Sequence, residues 1–536
     1  MTGETSPRNN SYNEHGYDYE SDDQELNVAM QQIWDIAQEH GLDPFPTHFE
    51  VAPANIIYQV GAYGIPGKFT HWTYGRQYRQ SKTMYDHGMS KIYELVINSN
   101  PAQAYLLENN PPTENKFIMA HVFGHTDFFK NNVMFGNTRR DMPEAVARQA
   151  ERVDSYANQY GEMAVEELLD ATLALQWNLD PYLIERPSRD DELAAWKKRA
   201  EDKLKPVERP VGQFSDLFEI GKTSEPISTP QALGRRALMM MPPEPDRDLL
   251  GFIRNHAPYL EDWQRDTIDI VRQESLYFYP QMRTKIMNEG WAAYWHKRLM
   301  LEMSERGNLR DDEDAVWWRL HSGVVAPNPK QLNPYYLGMK IYEYIEDYYN
   351  GNLTPQEEAW LQSQGKPIYP HYDGPLKDSP AMPHLRSAMM YNDDQSFIAT
   401  YFDKNVSDRM EMFLYETRNV FQNGVQKEIK VVAPGGWEKI RDILVQQRNN
   451  NGMPVISVAD GDYGRTGELY LDHAFDGRSL DPEYVNKTLP HLYRLWQRPV
   501  HLETRPKEND KKLVYTYDGK RITTTTTYLP EAERYQ

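Results

Sequence analysis

The chain has 536 residues, with 59 basic and 79 acidic side chains and a formal net charge of -20 at pH 7. This length exceeds what one hydrophobic core supports, so two or three domains are expected. A field this negative repels nucleic acid and anionic lipid, and neither is an expected partner. The sequence has no cysteine, which excludes disulfides, thiolate metal sites and cysteine nucleophiles.

The first 24 residues are polar, acidic and free of aliphatic side chains. Such a segment cannot offset its ordering entropy by burial, so residues 1–24 are predicted to form a disordered acidic tail. There is no basic and apolar export signal, and no window approaches 18 uninterrupted apolar residues. We therefore expect a cytoplasmic protein without membrane insertion.

Two helical blocks are predicted next. Residues 25–204 form the first, and it includes TENKFIMAHVFGHTDFFKNN, a helix that is apolar nearly all round, with Thr113 as the expected N-cap. Residues 205–247 are rich in proline and form a linker or wrapping segment. Residues 248–394 form the second block, which is expected to pack on the first, and Pro280 is predicted to kink or split its long helix.

After about residue 395 the sequence pattern changes to short runs of β-branched residues separated by turn dipeptides. Residues 395–536 are therefore predicted to form an α/β module that ends in a hairpin, KLVYTYDGKRITTTTT, with Asp518-Gly519 at its turn. The expected fold class is α+β: a large, mainly helical body with a smaller C-terminal α/β sandwich domain.

A pair of histidines on the apolar helix is the first candidate site. His121 and His125 are four residues apart, so both imidazoles project from one helix face, the spacing by which one helix delivers two metal ligands. The competing interpretation is two hydrogen-bonded core histidines. In the second block Glu289 and His296 are seven apart, again on one face. Packed together, the two helices would offer three histidines and one carboxylate to Zn or Fe, although a structural ion pair of Glu289 is the alternative.

Candidate catalytic bases come from elsewhere in the chain. The zincin motif places a general-base glutamate directly after its first histidine, and here that position is Val122, so this is not a zincin. Asp127 and Glu274 are the predicted bases, with Glu167 as a third candidate. Because Asp127 lies two residues beyond the second histidine, it could instead orient a ligand or cap a turn.

Weaker polar clusters are candidates for substrate binding. Asn131, Asn132 and Arg139 follow the histidine pair and could bind an anionic group, although capping of the helix end is the favoured alternative. His321 precedes a loop rich in glycine and proline and could form a pocket wall, or simply end a helix. The stretch GDYGRTGELYL leads into a strand pattern and not a helix, so it is not interpreted as a nucleotide-binding loop.

Long ordered blocks of the sequence resemble the SpoVR family, the stage V sporulation protein R group of bacterial proteins. The matching stretches include MAHVFGHTDFFKNN, KIMNEGWAAYWH and HSGVVAPNPKQLNPYYLGMKIYEYIE, within residues 45 to 350, with a looser match to about residue 500. The resemblance implies a cytoplasmic protein linked to spore cortex formation or to stress and stationary-phase responses. It also implies a PrkA-type serine kinase and a von Willebrand A-type protein as partners.

The leading hypothesis is a metal-dependent enzyme, hydrolytic in type, acting on a substrate related to cell-envelope precursors. The substrate class rests on the resemblance alone. The rival hypothesis is a non-enzymatic regulatory or scaffold protein whose histidine cluster is structural and whose C-terminal module docks a partner. A third hypothesis is a redox di-iron protein with Glu166, Glu167 and Asp170 on one helix, although such sites use Glu-x-x-His pairs and more carboxylates.

Overall fold

The computed structural model describes residues 19–86, 94–204, 241–327, 331–422, 425–506 and 511–528. The first helices are α1 (Tyr19–Glu39), α2 (Ala54–Tyr63), α3 (Trp72–Asp86), α4 (Pro112–Asn131), α5 (Met142–Tyr160), α6 (Glu162–Leu173), α7 (Arg189–Leu204), α8 (Leu249–His256) and α9 (Asp262–Arg283). The later helices are α10 (Lys285–Glu305), α11 (Asp311–Val324), α12 (Pro334–Tyr349), α13 (Pro355–Ser363), α14 (Met382–Tyr391), α15 (Asp394–Tyr401), α16 (Lys404–Arg409), α17 (Gly436–Arg448) and α18 (Pro482–Trp496).

Ten strands accompany these helices within the described ranges. They are β1 (Thr47–Ala52), β2 (Leu95–Ile97), β3 (Ala102–Leu107), β4 (Tyr415–Gln422), β5 (Val425–Val432), β6 (Ile456–Tyr463), β7 (Glu468–His473), β8 (Val500–Thr504), β9 (Lys511–Tyr517) and β10 (Ile522–Tyr528). The fold is α+β, as expected. None of the described helices is long and apolar enough to cross a bilayer.

Two compact units divide the chain, and each combines segments that are distant in sequence. The first unit contains residues 1–148 and 280–452, and the second contains residues 149–279 and 453–536. The sequence interpretation instead expected blocks in chain order. Hydrophobic periodicity identifies the elements but carries no information about which distant element covers each apolar face, which explains the difference.

Several expected segments fall partly outside the described residues. The expected tail covers residues 1–24, of which 1–18 lie outside, while α1 begins at Tyr19. Residues 205–240 of the expected linker also lie outside. Pro280 does precede a split, because α9 ends at Arg283 and α10 begins at Lys285. The expected N-cap Thr113 was wrong: Pro111 occupies the N-cap position of α4 without a side-chain capping bond. Thr113 is the second residue of the helix and is buried, and its hydroxyl donates to Glu313 at 2.7 Å.

The core of the first unit surrounds α10, which is buried on every side. Its central residues have no exposed surface, among them Trp291, Trp295 and Tyr294. Helix α4 is almost as deeply placed, since every residue from 115 to 129 is buried. Both belong to one large cluster of apolar side chains that also includes α12. The prediction that the histidine helix is central and apolar nearly all round is confirmed.

Small residues allow α10 to approach its neighbours closely. A Cβ atom on Gly124 of α4 would lie 2.7 Å from the Cα of Ala292 on α10. A Cβ atom on Gly290 would lie 2.4 Å from the backbone of Gly338 on α12. Real Cβ atoms do not come so close to backbone, so larger side chains at these positions would push the helices apart. Three helix backbones are therefore brought together where the candidate site residues lie.

A buried carboxylate fixes the start of α10. The two oxygens of Asp394 accept hydrogen bonds at 2.9 Å from the backbone amides of Ile286 and Met287. These amides belong to the first turn, where a helix has no internal acceptors, so the carboxylate satisfies donors that would otherwise be unpaired. The axial position of Glu289, one turn further on, is set by this contact.

A three-stranded sheet interrupts the predicted first helical block. Its strand order is β1-β3-β2, with β1 parallel and β2 antiparallel to β3. The central strand β3 is buried at five of six positions. A short strand buried on both faces has no alternating pattern, so periodicity does not distinguish it from part of a helix. This explains why the sequence interpretation missed the sheet.

The second unit contains a five-stranded sheet in the order β10-β9-β8-β7-β6. The terminal hairpin is confirmed, because β9 and β10 pair antiparallel with Tyr517 opposite Ile522 around the predicted Asp518-Gly519 turn. The expected module began at residue 395. In the structure the β4-β5 hairpin and α17 belong to the first unit, and the five-stranded sheet begins only at Ile456.

Candidate metal centre

Four side chains of the first unit converge on one point. His121 and His125 project from the same face of α4, Glu289 faces them from α10, and Glu94 lies just before β2. One ligand atom from each lies within 4.8 Å of all the others, so this group could hold a metal ion. Glu289 Oε2 is 3.4 Å from His125 Nε2 and 3.8 Å from His121 Nε2. Atoms arranged tetrahedrally about 2.1 Å from a zinc ion are about 3.4 Å apart, so these two distances are close to the spacing that a shared zinc ion requires.

Hydrogen bonds behind the two histidines orient both rings towards the cluster. His125 Nδ1 lies 2.9 Å from the side-chain oxygen of Asn288, an acceptor, so Nδ1 carries the proton and Nε2 presents a lone pair. His121 Nδ1 lies 2.7 Å from His296 Nδ1, which leaves Nε2 of His121 directed at the cluster. Metal-binding histidines are held in this way by a bond through the nitrogen that does not bind the metal.

Two atoms at the heart of the cluster are buried and lack a hydrogen-bond partner among the described residues. They are His121 Nε2 and Glu289 Oε2, which are two of the atoms that face one another. A buried polar atom without a partner costs about 1–3 kcal/mol, so folded proteins seldom leave one. Here the two are complementary to a cation, and the donor set fits a metal ion.

Electrostatics keep these groups in the protonation states that metal binding requires. Burial, reinforced by His121, lowers the pKa of His125 to about 4, so its ring is neutral near pH 7. Burial alone would raise the pKa of Glu289, but Lys285 and the two histidines hold it well below its usual range. Lys285 donates directly to Glu289 Oε1. Neutral imidazole and ionised carboxylate are the metal-binding forms.

His296 was predicted as a fourth ligand, but it stands behind His121 and does not belong to the four-residue group. Its Nδ1 contacts His121, and its Nε2 lies 2.8 Å from Nδ1 of His321 on α11. Burial and the neighbouring histidines lower the pKa of His296 well below its ordinary value. His321, predicted to line a substrate pocket, is the last member of this row of three rings.

Glu94 was missed by the sequence interpretation. It immediately precedes the short strand β2, and its Oε1 accepts a hydrogen bond from the Tyr335 hydroxyl at 2.9 Å. Burial and Glu94 together raise the pKa of Tyr335 well above its ordinary value, so the phenol remains a donor. A carboxylate next to three apolar residues is a common pattern, and only the packing of the sheet against α4 makes this one distinctive.

The two predicted bases occupy other positions. Asp127 is fully buried, and its carboxylate accepts from Trp291 Nε1 at 2.8 Å, from the Asp43 amide at 2.7 Å and from Arg386 at 2.9 Å. None of these partners belongs to the cluster, so Asp127 ties α4 to α10 and α14. Glu274 lies on α9 in the second unit and is buried there. The third candidate, Glu167, forms an ion pair with Arg494 in that same unit.

The remaining predicted site residues have structural partners. Asn131 donates to the backbone carbonyl of Asp127 at 2.8 Å and to its carboxylate at 3.2 Å. Asn132 is buried and donates to two backbone carbonyls, at 2.6 and 2.9 Å. Arg139 pairs with Asp141 at 2.8 Å on an exposed surface. The Asn131 contact corresponds to the helix-end alternative considered from the sequence, whereas Asn132 joins the end of α4 to α14 and Arg139 forms a surface ion pair.

Comparison with known proteins identifies the family of the chain. Residues 20–453 match the family described as SpoVR like protein, and residues 454–507 match the SpoVR-like C-terminal domain. The junction falls next to the boundary between residues 452 and 453 of the compact units. "Uncharacterized protein YcgB" of Escherichia coli (strain K12) is 28% identical over 505 residues, which are 91% of this chain and 93% of that protein. No solved structure matches. Because the two family matches together span nearly all of the sequence, the chain belongs to the SpoVR family.

Proposed function

We propose that this protein is a metal-dependent hydrolase whose ligands are His121, His125 and Glu289, with Glu94 beside them. The proposal is carried by the pair of buried atoms that lack hydrogen-bond partners among the described residues, His121 Nε2 and Glu289 Oε2, 3.8 Å apart. A divalent cation between them would satisfy both. The proposal is also supported by the close approach of α4 and α10, with Gly124 against Ala292.

The ligand types favour Zn or Fe. Two imidazoles and one carboxylate bind catalytic zinc and non-haem iron in many enzymes, and such sets leave coordination positions open. The chain has no cysteine, so no thiolate competes. A metal ion bound here would act as a Lewis acid that polarises a substrate oxygen and activates water.

Glu94 is the proposed general base. Its side chain is 20% exposed, whereas those of His121 and Glu289 are 3% and 7% exposed. The carboxylate nearest to solvent is the one that water and substrate reach first, and the Tyr335 hydroxyl holds it in place. Lys285, which pairs with Glu289, has a side chain that is 55% exposed, so it lies on the side from which solvent reaches the cluster.

The proposed substrate class is a cell-envelope precursor, and the proposed location is the cytoplasm. The substrate class follows the family's association with spore cortex formation, and the location follows the resemblance to a family of cytoplasmic proteins. The chemistry of the cluster sets only the reaction class, attack by water on a polarised carbonyl or phosphoryl centre.

Elemental analysis of tag-free protein purified without chelator is the decisive test. We expect about one Zn or Fe per chain in the wild type. Glu289→Gln should lose the metal because a ligand is lost, whereas Glu94→Gln should keep it and lose hydrolysis of activated esters such as p-nitrophenyl acetate. Glu302→Gln is the matched control, because Glu302 lies on the same helix but pairs with His40 and Arg306.

Two outcomes would count against the proposal. Wild-type protein that stays metal-free after loading with zinc, and with iron under anaerobic conditions, would favour the scaffold hypothesis. Loss of metal from Glu94→Gln to the same extent as from Glu289→Gln would make Glu94 a ligand and leave the reaction without its proposed base.

A further inference from the structure

The second unit contains a cavity of about 700 Å³ that is independent of the candidate metal centre. Its walls come from α7, from the β6-β7 turn and from the end of α18, so both matched family regions contribute to it. Cavities that hold small organic ligands have volumes of roughly 300–1,000 Å³. The size is therefore appropriate for a small molecule.

The cavity is lined by an excess of positive charge. Arg189, Lys197, Arg465 and Arg498 line it, together with the single carboxylate of Asp462. The whole chain carries a net charge of -20, so this local excess runs against the general charge of the protein. Clefts lined by one sign of charge concentrate ligands of the opposite sign. The ligand is accordingly expected to be an anion.

One of these cations is held in position before any ligand binds. Arg498 donates to the backbone carbonyl of Thr466 and, at 2.7 Å, to the hydroxyl of Tyr259, whose ring also lies beneath the guanidinium. A guanidinium has five N–H donors, so others remain available for a phosphate or carboxylate. Pre-positioning reduces the entropy that a ligand must offset on binding.

A buried histidine supplies the second observation. His256 lines the cavity and is only 4% exposed, and its Nδ1 has no hydrogen-bond partner among the described residues. Its Nε2 lies 2.8 Å from the carboxylate of Glu192, so Nε2 carries the proton and Nδ1 presents a lone pair. This lone pair is suited to a ligand hydroxyl or amine.

A tryptophan provides a flat wall. The Trp196 ring is stacked on His256 with centroids 5.1 Å apart and an interplanar angle of 26°, and it also lines the cavity. An indole face is a favourable surface for a planar ring of a ligand. Charge, an acceptor and an aromatic wall therefore occur together.

The glycine-rich turn contributes side chains to the cavity, among them that of Arg465. As expected from the sequence, GDYGRTGELYL enters strand β7 and not a helix, so it has no helix N-terminus to bind phosphate. A Cβ atom on Gly461 would lie 2.7 Å from the Phe252 ring, so glycine lets the turn pack closely against α8. Phosphate contacts at this site would come from cationic side chains and not from the backbone.

We propose that this cavity binds a mononucleotide. The phosphate would contact Lys197, Arg465 and Arg498, and the base would lie on Trp196. A hydroxyl or amine of the ligand would donate to His256 Nδ1. The site lies wholly in the second unit and does not depend on the hydrolase proposed for the first.

Calorimetric titration of the full chain with AMP, adenosine, ribose 5-phosphate and inorganic phosphate tests this proposal. AMP should bind at least about tenfold more tightly than each of the other three, because only AMP engages both the cations and the aromatic wall. Lys197→Glu should weaken AMP binding by about tenfold or more, since it replaces attraction by repulsion at an exposed position. Lys198→Glu is the matched control, because Lys198 is the next residue on α7 and does not line the cavity.

The opposite results are equally clear. No heat from any of the four ligands at millimolar concentration would overturn the proposal. If inorganic phosphate bound as tightly as AMP, the mononucleotide proposal would be overturned and the cavity would be an anion site only. Equal weakening by Lys198→Glu and Lys197→Glu would mean that AMP responds to the general charge of α7 and does not occupy this cavity.

Discussion

Gly124→Ala separates the two helices that carry the metal ligands, and its effect follows from the structure. The added methyl would lie 2.7 Å from the Cα and 3.2 Å from the Cβ of Ala292. Carbon atoms prefer about 3.5–4.0 Å, so α4 and α10 must part by about 1 Å. Overpacking of this kind costs about 1–3 kcal/mol of unfolding free energy.

The same displacement acts directly on the proposed centre. His121 and His125 lie on α4, and Glu289 lies on α10, with nitrogen to oxygen distances of 3.8 and 3.4 Å. Metal sites tolerate about 0.2 Å in each ligand distance, so a 1 Å displacement should reduce metal affinity by about tenfold or more. Urea denaturation of the metal-free protein and competition with a chelator measure the two effects separately.

A second glycine offers the control. Gly75 lies within α3 in the same unit, and a Cβ atom there would meet nothing within 4 Å. Gly75→Ala should therefore raise stability by about 0.5–1 kcal/mol and leave metal affinity unchanged. If Gly124→Ala behaved like Gly75→Ala in both assays, the close approach of α4 and α10 would not be what assembles the site.

Three further predictions concern stability and metal. Asp127→Ala should lower the unfolding free energy by about 3 kcal/mol, because the fully buried carboxylate of Asp127 is the partner of Arg386. The protein that remains folded should keep its metal. A loss of less than about 1 kcal/mol in urea denaturation would contradict this prediction. Removing the metal should lower the midpoint of thermal unfolding, and adding Zn should restore it in a concentration-dependent way, whereas a midpoint indifferent to both would exclude binding to the folded state. Burial alone would raise the pKa of Glu313, but the Arg310 amide and the Lys116 ion pair hold this pKa below its ordinary value. Ionised Glu313 therefore stabilises the folded protein above the unfolded pKa of about 4.5, and this stabilisation is lost as pH falls through the lower folded pKa. In Glu313→Gln, the unfolding free energy should fall less steeply below pH 4.5 than in the wild type. The same fall in both proteins would refute the assignment to Glu313.

The local patterns of the sequence accounted for much of the framework. The apolar stretch around His121 and His125 required a buried helix, the split after Pro280 followed from proline geometry, and the Asp518-Gly519 turn identified the final hairpin. Each of these features depends on neighbours within a few residues, which a single sequence displays directly. Two ligand pairs could be proposed in the same way, from their spacing on one helix face.

Which distant elements meet was decided by the tertiary structure. Packing at Gly124 and Ala292 sets where α10 lies against α4, and in that arrangement His296 stands behind His121. Glu94 joins the cluster because the three-stranded sheet packs against α4. The pairing of residues 1–148 with 280–452 likewise depends on long-range burial of apolar faces. Local periodicity indicates that one face of a helix is apolar, but it does not indicate which distant element will cover that face. The sequence therefore identified two helices that each carry candidate ligands, whereas their contact and the candidate ligand set required the fold.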